Sequence, residues 1–240
     1  MSSFPIPASA FYGHSRAVEA DAVFAWLRFG WNVFLVNPGV WVVSTLILLI
    51  GFPALLILWP LGPLLAALLT PVLAAGLFGM CRQAAGEKAL GVSALFAGFT
   101  TRTTPLLVLG IVFMVVAMII PLIVFLLFSS SVVGGIMWGI SVGITVLLAL
   151  LLSSLLFVPL WMTMWFAPAL VLFNAMPPLE ACKASLSASL KNIRPLLILG
   201  LIVFILCVFA ALPAGLGFLV LIPVLAGTAY ASYQDVFIVH

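Results

Sequence analysis

The sequence predicts an all-α fold, a polytopic bundle of transmembrane helices, on three observations. Hydrophobic residues make up 66% of the 240 residues and charged residues 5%, with a mean hydropathy of +1.45, against about 25% charged residues in globular domains. A water-soluble fold of that composition has too little polar surface to turn outward. The few charges collect in short connectors, and the runs between them are long enough, as helices, to cross about 30 Å of hydrocarbon. One order of elements, an amphipathic connector and then two apolar runs, recurs three times.

Residues 1–15 form a polar tail with no basic segment ahead of a compact apolar core, so they do not read as a cleavable signal peptide. Residues 16–240 read as a single integral membrane domain. Over 17–37 a boundary helix is predicted, with Val23, Leu27, Trp31 and Phe34 on one stripe and Asp21, Arg28 and Asn32 off it. Residues 38–58 make the first span, the run WPLGP turns the chain, and 64–80 make the second, closed by Arg82, Glu87 and Lys88. Val92, Leu95, Phe96 and Phe99 mark a shorter connector, and 105–128 form the third span.

No charge occurs between Thr103 and Leu179. Ser131, Gly135, Gly139 and Gly143 recur at every fourth position, a small-residue series suited to close helix packing, and they predict one helix over 131–158. Whether 129–174 is one broken helix or two elements stays open. Pro159 and Pro168 bend the chain beyond 158, and Trp161 and Trp165 suit the headgroup level. In the third connector, MPPLEACKASLSASLKNIRP, the residues Leu179, Cys182, Leu186, Leu190 and Ile193 lie opposite Glu180, Lys183, Ser187 and Lys191. Residues 195–212 and 216–233 make the last hairpin, turned at Pro213, Ala214 and Gly215.

With six spans, Arg16, Arg28, Arg82, Lys88, Arg102, Lys183, Lys191 and Arg194 all fall on one side. The positive-inside rule makes that side the cytoplasm, with both termini there. Seven spans would put Lys183, Lys191 and Arg194 outside. The repeats cover about 16–82, 91–174 and 178–236: PLLVLG from Pro105 answers PLLILG from Pro195, and PVLAAG from Pro71 answers PVLAG from Pro223. Repeats in one orientation imply an axis along the membrane normal.

LFAGF at 95–99, APALVLF at 167–173, MPPLEA at 176–181, PVLAG at 223–227 and YASYQDVF at 230–237 carry a resemblance over about residues 20–238. The chain resembles an uncharacterised family of proteobacterial multi-pass membrane proteins. More distantly it is similar to the membrane domain attached to some glycerophosphodiester phosphodiesterases. The resemblance implies the inner membrane of a Gram-negative bacterium and brings no catalytic residue with it.

No His, Asp or Glu lies in a predicted span, so a serine hydrolase, a carboxylate pair and a proton-coupled pump all lack their ionisable groups. No catalytic, cofactor-binding or metal-binding residue is assigned and no cofactor is expected; the chain is not read as an enzyme. Ser185, Ser187 and Ser189 read as the polar face of their connector, and Cys81, Cys182 and Cys207 as small apolar side chains. A net charge of +3 spread over 240 residues makes no nucleic-acid patch. Arg28, Arg82, Lys88, Arg102, Lys183, Lys191 and Arg194 are membrane-surface cations, open to anionic headgroups yet explained by the positive-inside bias alone.

Two roles remain. The favoured one is a non-catalytic accessory or organising protein, with the bilayer, a membrane-protein partner or a second copy as its partners. The glycine series serves there as an oligomer contact or as packing within the chain. The alternative is a transporter or lipid-handling protein whose cavity is lined by Ser153, Ser154, Thr163 and Asn174.

Overall fold

In hydrocarbon no water takes up a backbone N–H or C=O, so an uncharged run adopts the one local structure that satisfies its own backbone, the α-helix. The structure, a computed structural model, describes residues 15–86, 89–138 and 142–238, and of 131–138 and 142 the backbone alone. Among these residues there are nine α-helices and no strand: α1 Ala22–Val36, α2 Pro38–Leu56, α3 Leu61–Ala85, α4 Gly98–Thr101, α5 Thr103–Trp138, α6 Val142–Asn174, α7 Pro178–Lys191, α8 Ile193–Ala211 and α9 Phe218–Phe237. A 3₁₀ turn, Val92–Phe96, precedes α4.

Five helices are long and apolar enough to cross a bilayer, over Pro38–Leu56, Leu61–Ala85, Thr103–Ser130, Gly143–Asn174 and Ile193–Ala211. The chain thus has the makings of a multi-pass membrane protein. The sixth expected span, α9, differs in kind. Its second half carries Thr228, Tyr230, Ser232, Tyr233, Gln234 and Asp235, and every residue from 226 to 237 except Asp235 is buried by protein. That polarity is tolerated because α9 is surrounded by other helices.

Local chemistry marks the joints. Asn37 separates α1 from α2, and its Oδ1 accepts the Val40 N–H at 3.2 Å ahead of a helix that opens on Pro38. Asn192 separates α7 from α8. Its Oδ1 accepts the Val18 N–H at 2.7 Å, and its amide donates to the carbonyls of Arg16 and Ala188 at 2.9 Å each.

The reading of 131–158 as one helix does not hold. The rings of Phe113 on α5 and Trp161 on α6 meet edge to face at 6.1 Å, so the chain reverses between them. Ser131 and Gly135 belong to α5 and Gly143 to α6, while Gly139 lies outside the described residues. The uncharged stretch carried no turn signal strong enough to show the reversal. At 36 residues α5 is about 54 Å long, well beyond about 30 Å of hydrocarbon, so it must tilt or overrun the bilayer.

Each connector lies along the second long helix of another unit. α1 runs antiparallel to α9: Trp26 meets Asp235, and Gly30 meets Gly227. The segment from Val92 to Thr101 lies on α3, with Leu95 against Gly76 and Gly98 against Val72. α7 lies on α6. The first long helices fill the outer positions, α2 against α3 and α9 and α5 between α3 and α6, but α8 leans on α9 and α1 and stands off α6.

Candidate functional site

Where α8 stands off α6, a cavity of about 610 Å³ opens. α3 and α9 form its floor through Pro71, Ala74, Phe78, Ile222, Leu225 and Ala226. Its walls come from α6, with Val158, Trp161, Met162 and Trp165, and from α8, with Ile193, Leu197, Gly200 and Val203. Thr70 and Ser189 are its polar side chains, and no ionisable group among the described residues lines it. The Thr70 hydroxyl is already committed to the Ala66 carbonyl at 2.7 Å, so the surface offered is hydrocarbon-like.

One repeated motif shows why the gap is there. Gly110 and Gly200 end the matched hexapeptides PLLVLG and PLLILG. A methyl group at Gly110 would stand 2.1 Å from the Leu68 carbonyl oxygen, so α5 sits backbone to backbone on α3. At Gly200 the same group would meet nothing within 4 Å. α8 has the small residue that a close crossing needs, but no helix fills it.

Along α8 the lining runs from Ile193 to Val203, and along α6 from Val158 to Pro168. Each stretch is about 15 Å of helix, the depth of one leaflet of a hydrocarbon core about 30 Å thick. Charge identifies the shallow end. Lys191 and Arg194 flank Ile193, and both are exposed; charged groups stay out of hydrocarbon. The slot therefore opens toward the basic end of the bundle.

That end is tied by hydrogen bonds. Arg16 pairs with the Asp235 carboxylate and bonds its carbonyl, and Trp26 Nε1 donates to Asp235 Oδ2 at 2.9 Å. Lys191 Nζ donates to the Ser15 carbonyl at 2.6 Å. The Tyr233 hydroxyl donates to Asn174 Oδ1 at 2.5 Å, and the Arg82 guanidinium lies 5.4 Å from the Phe173 ring centre. α7 is held to the cavity wall by its small face. The Ser185 hydroxyl accepts the Phe166 N–H at 3.1 Å and donates to the Met162 carbonyl at 2.8 Å, and Ser189 donates to the same carbonyl at 3.1 Å.

The expected lining residues lie elsewhere. Ser154 is exposed and donates to the Leu151 carbonyl at 2.8 Å, and half-buried Thr163 donates to the Pro159 carbonyl at 2.8 Å. Such bonds within the helix satisfy a hydroxyl without any cavity. Ser153 is half-buried beyond the Val158 end of the slot, and Asn174 is engaged by Tyr233. None of the four is among the lining residues. Ser185 and Ser189, expected on the solvated face of α7, are fully buried, whereas Leu179 and Leu190 are 60% and 59% exposed. A helix pressed backbone-close on α6 turns its small residues inward and leaves its leucines for lipid.

Of the membrane-surface cations, Arg28, Arg82, Arg102, Lys183, Lys191 and Arg194 are exposed, and Lys88 lies outside the described residues. Gly143 faces open space. Sequence reasoning missed Gly200 as a cavity residue, although the Gly110–Gly200 match was the signal for it. No cluster of three or more metal-ligating side chains occurs among the described residues. Comparison with known protein families, with curated proteins and with solved structures finds no match to this chain.

Proposed function

We propose that this chain is a six-span inner-membrane protein of a Gram-negative bacterium, with both termini cytoplasmic, that handles lipid without making or breaking bonds in it. The cleft between α6 and α8 takes an acyl chain sideways from the bilayer. The observation that carries this reading is the slot itself: about 610 Å³, lined by apolar side chains, and one leaflet deep.

The six-span topology and its three parallel repeats rest on several supports. α9 is a helix of 20 residues, long enough for about 30 Å. Each unit is a connector followed by two long helices, and each connector seats on the second long helix of another unit. The resemblance to proteobacterial inner-membrane proteins supports the compartment. Of the two roles expected from the sequence, lipid handling has a built site behind it. An organising role would use the exposed apolar flanks of α2, α5 and α8, which lipid covers equally well.

Filling the slot tests the reading. Gly200→Phe places a ring in open space without meeting a neighbour at Cβ, so the bundle is expected to fold as before. Native mass spectrometry of the protein released from nanodiscs is expected to show retained lipid on the wild type and at least a tenfold loss on the variant. Equal retention by both would place the bound lipid on the outer surface and sink the cleft reading.

A further inference from the structure

We propose that the cleft selects a lipid with an anionic, phosphate-bearing headgroup and that Arg194 is the residue that reads it. This deepens the lipid-handling reading above and rests on it. An acyl chain lying in a slot that ends at Ser189 and Ile193 leaves its headgroup at the junction of α7 and α8, and Arg194 stands there, next in the chain to Ile193.

The other cations at this end divide by what they already hold. Arg16 is paired with Asp235, Arg82 lies over Phe173, and Lys191 donates to the Ser15 carbonyl. Arg28, Arg102, Lys183 and Arg194 have neither an ion pair nor a hydrogen bond among the described residues, and of these four only Arg194 adjoins a cavity-lining residue. Among the described residues no carboxylate forms an ion pair with it, although Glu19 follows Val18, whose N–H bonds Asn192 at this junction. Asp235 is taken up by Arg16 and Trp26, and Glu180 sits in the first turn of α7, at the other end of that helix.

The chemistry of the pair fits. A guanidinium presents a planar fork of N–H donors that matches two phosphate oxygens, an arrangement a zwitterionic headgroup weakens with its own ammonium. Lys191 stands beside it with N–H donors to spare after the bond to Ser15. The apolar walls set the binding, and the cation sets which lipid stays.

The test uses the full chain in nanodiscs of equal phosphatidylglycerol and phosphatidylethanolamine with identical acyl chains, the retained lipid being identified by native mass spectrometry. One cation near a membrane surface contributes about 1 kcal/mol, so wild type is expected to retain the anionic lipid about fivefold over the zwitterionic one. Arg194→Gln brings that ratio near one without changing how much lipid is retained, Arg194→Lys restores part of it, and Gly200→Phe removes both lipids. An even ratio in the wild type, or a preference that Arg194→Gln leaves intact, overturns the headgroup assignment while the loss in Gly200→Phe keeps the cleft. Retention that survives Gly200→Phe overturns the cleft reading instead.

Discussion

A methyl group at Gly30 would stand 2.2 Å from the Val224 carbonyl oxygen, and one at Gly227 would stand 2.6 Å from Gly30 Cα. These two residues let α1 and α9 meet backbone to backbone, and a larger side chain at either must push the helices apart. Gly30→Leu is expected to cost at least the about 1–3 kcal/mol of ordinary overpacking, read as a lower melting temperature in detergent. Gly143→Leu, at a position with nothing within 4 Å, is expected to leave stability unchanged. The reverse outcome would restore the glycine series of 131–143 as the main packing surface. The hydroxyls of Ser44 and Thr45 on α2 are fully buried and have no hydrogen-bond partner among the described residues. Thr45→Val removes one of these hydroxyls at nearly constant shape, so it is expected to leave stability level or raise it by about 1 kcal/mol. A loss of stability in the melt would mean that the hydroxyl has a partner in the membrane. None of this was legible in the sequence: small and polar residues are plentiful in the chain, and contact alone separates those that pack from those that face lipid.

Helices α1 and α7 were visible in the sequence as amphipathic connectors, but their buried faces were not. On α1 the buried positions are Val23, Trp26, Gly30, Val33 and Phe34, while Trp31, placed with Val23 and Phe34 on the predicted apolar stripe, is 47% exposed. Periodicity ranks faces by hydrophobicity, and a connector between lipid and protein has two apolar faces to choose from. On α7 the choice fell on the small face because Ser185 fits the Met162–Phe166 step of α6. Losing its bonds through Ser185→Ala is expected to cost about 1–3 kcal/mol in thermal melts, whereas exposed Ser187→Ala stays within about 0.5 kcal/mol. Equal small effects would mean that packing alone holds α7. At the other end of the chain, Asp235 fastens the segment around Arg16 to α9 through a half-exposed ion pair. Such pairs contribute about 0–1 kcal/mol, but the buried Trp26 Nε1 loses its acceptor as well, so Asp235→Ala is expected to speed trypsin cleavage after Arg16 several-fold and to cost about 1–3 kcal/mol in the melt. Cleavage at the wild-type rate would show that Lys191 and Asn192 hold the segment by themselves.

Across the whole molecule the charges and the cavity share one end, which makes topology the main test of the architecture. With the native cysteines replaced, Trp59→Cys and Leu212→Cys, both in highly exposed far-end turns, are expected to react with a membrane-impermeant thiol reagent from the periplasmic side. Ser187→Cys is expected to react from the cytoplasmic side alone. Labelling of positions 187 and 212 from one side would mean that α8 does not cross, and the six-span arrangement would fall. The sparse contact between α8 and α6 belongs to this scale too. PLLVLG and PLLILG are nearly the same text, yet Gly110 is pressed on Leu68 and Gly200 faces a void.

The sequence by itself pointed to the class: 66% hydrophobic residues, with charges held in connectors and uncharged runs of helix-spanning length between them, suit helices in a bilayer that satisfy their own backbone. Outside 129–174 it also determined the order of connectors and long helices, because proline, asparagine or charge punctuates the chain where those elements end. The tertiary structure alone decided which faces are buried, where the chain turns within 129–174, and that α8 stands away from α6. Inside hydrocarbon, lipid and protein are equally apolar neighbours, so hydrophobicity cannot choose between them; backbone approach and shape make that choice, and they exist only once the helices are assembled.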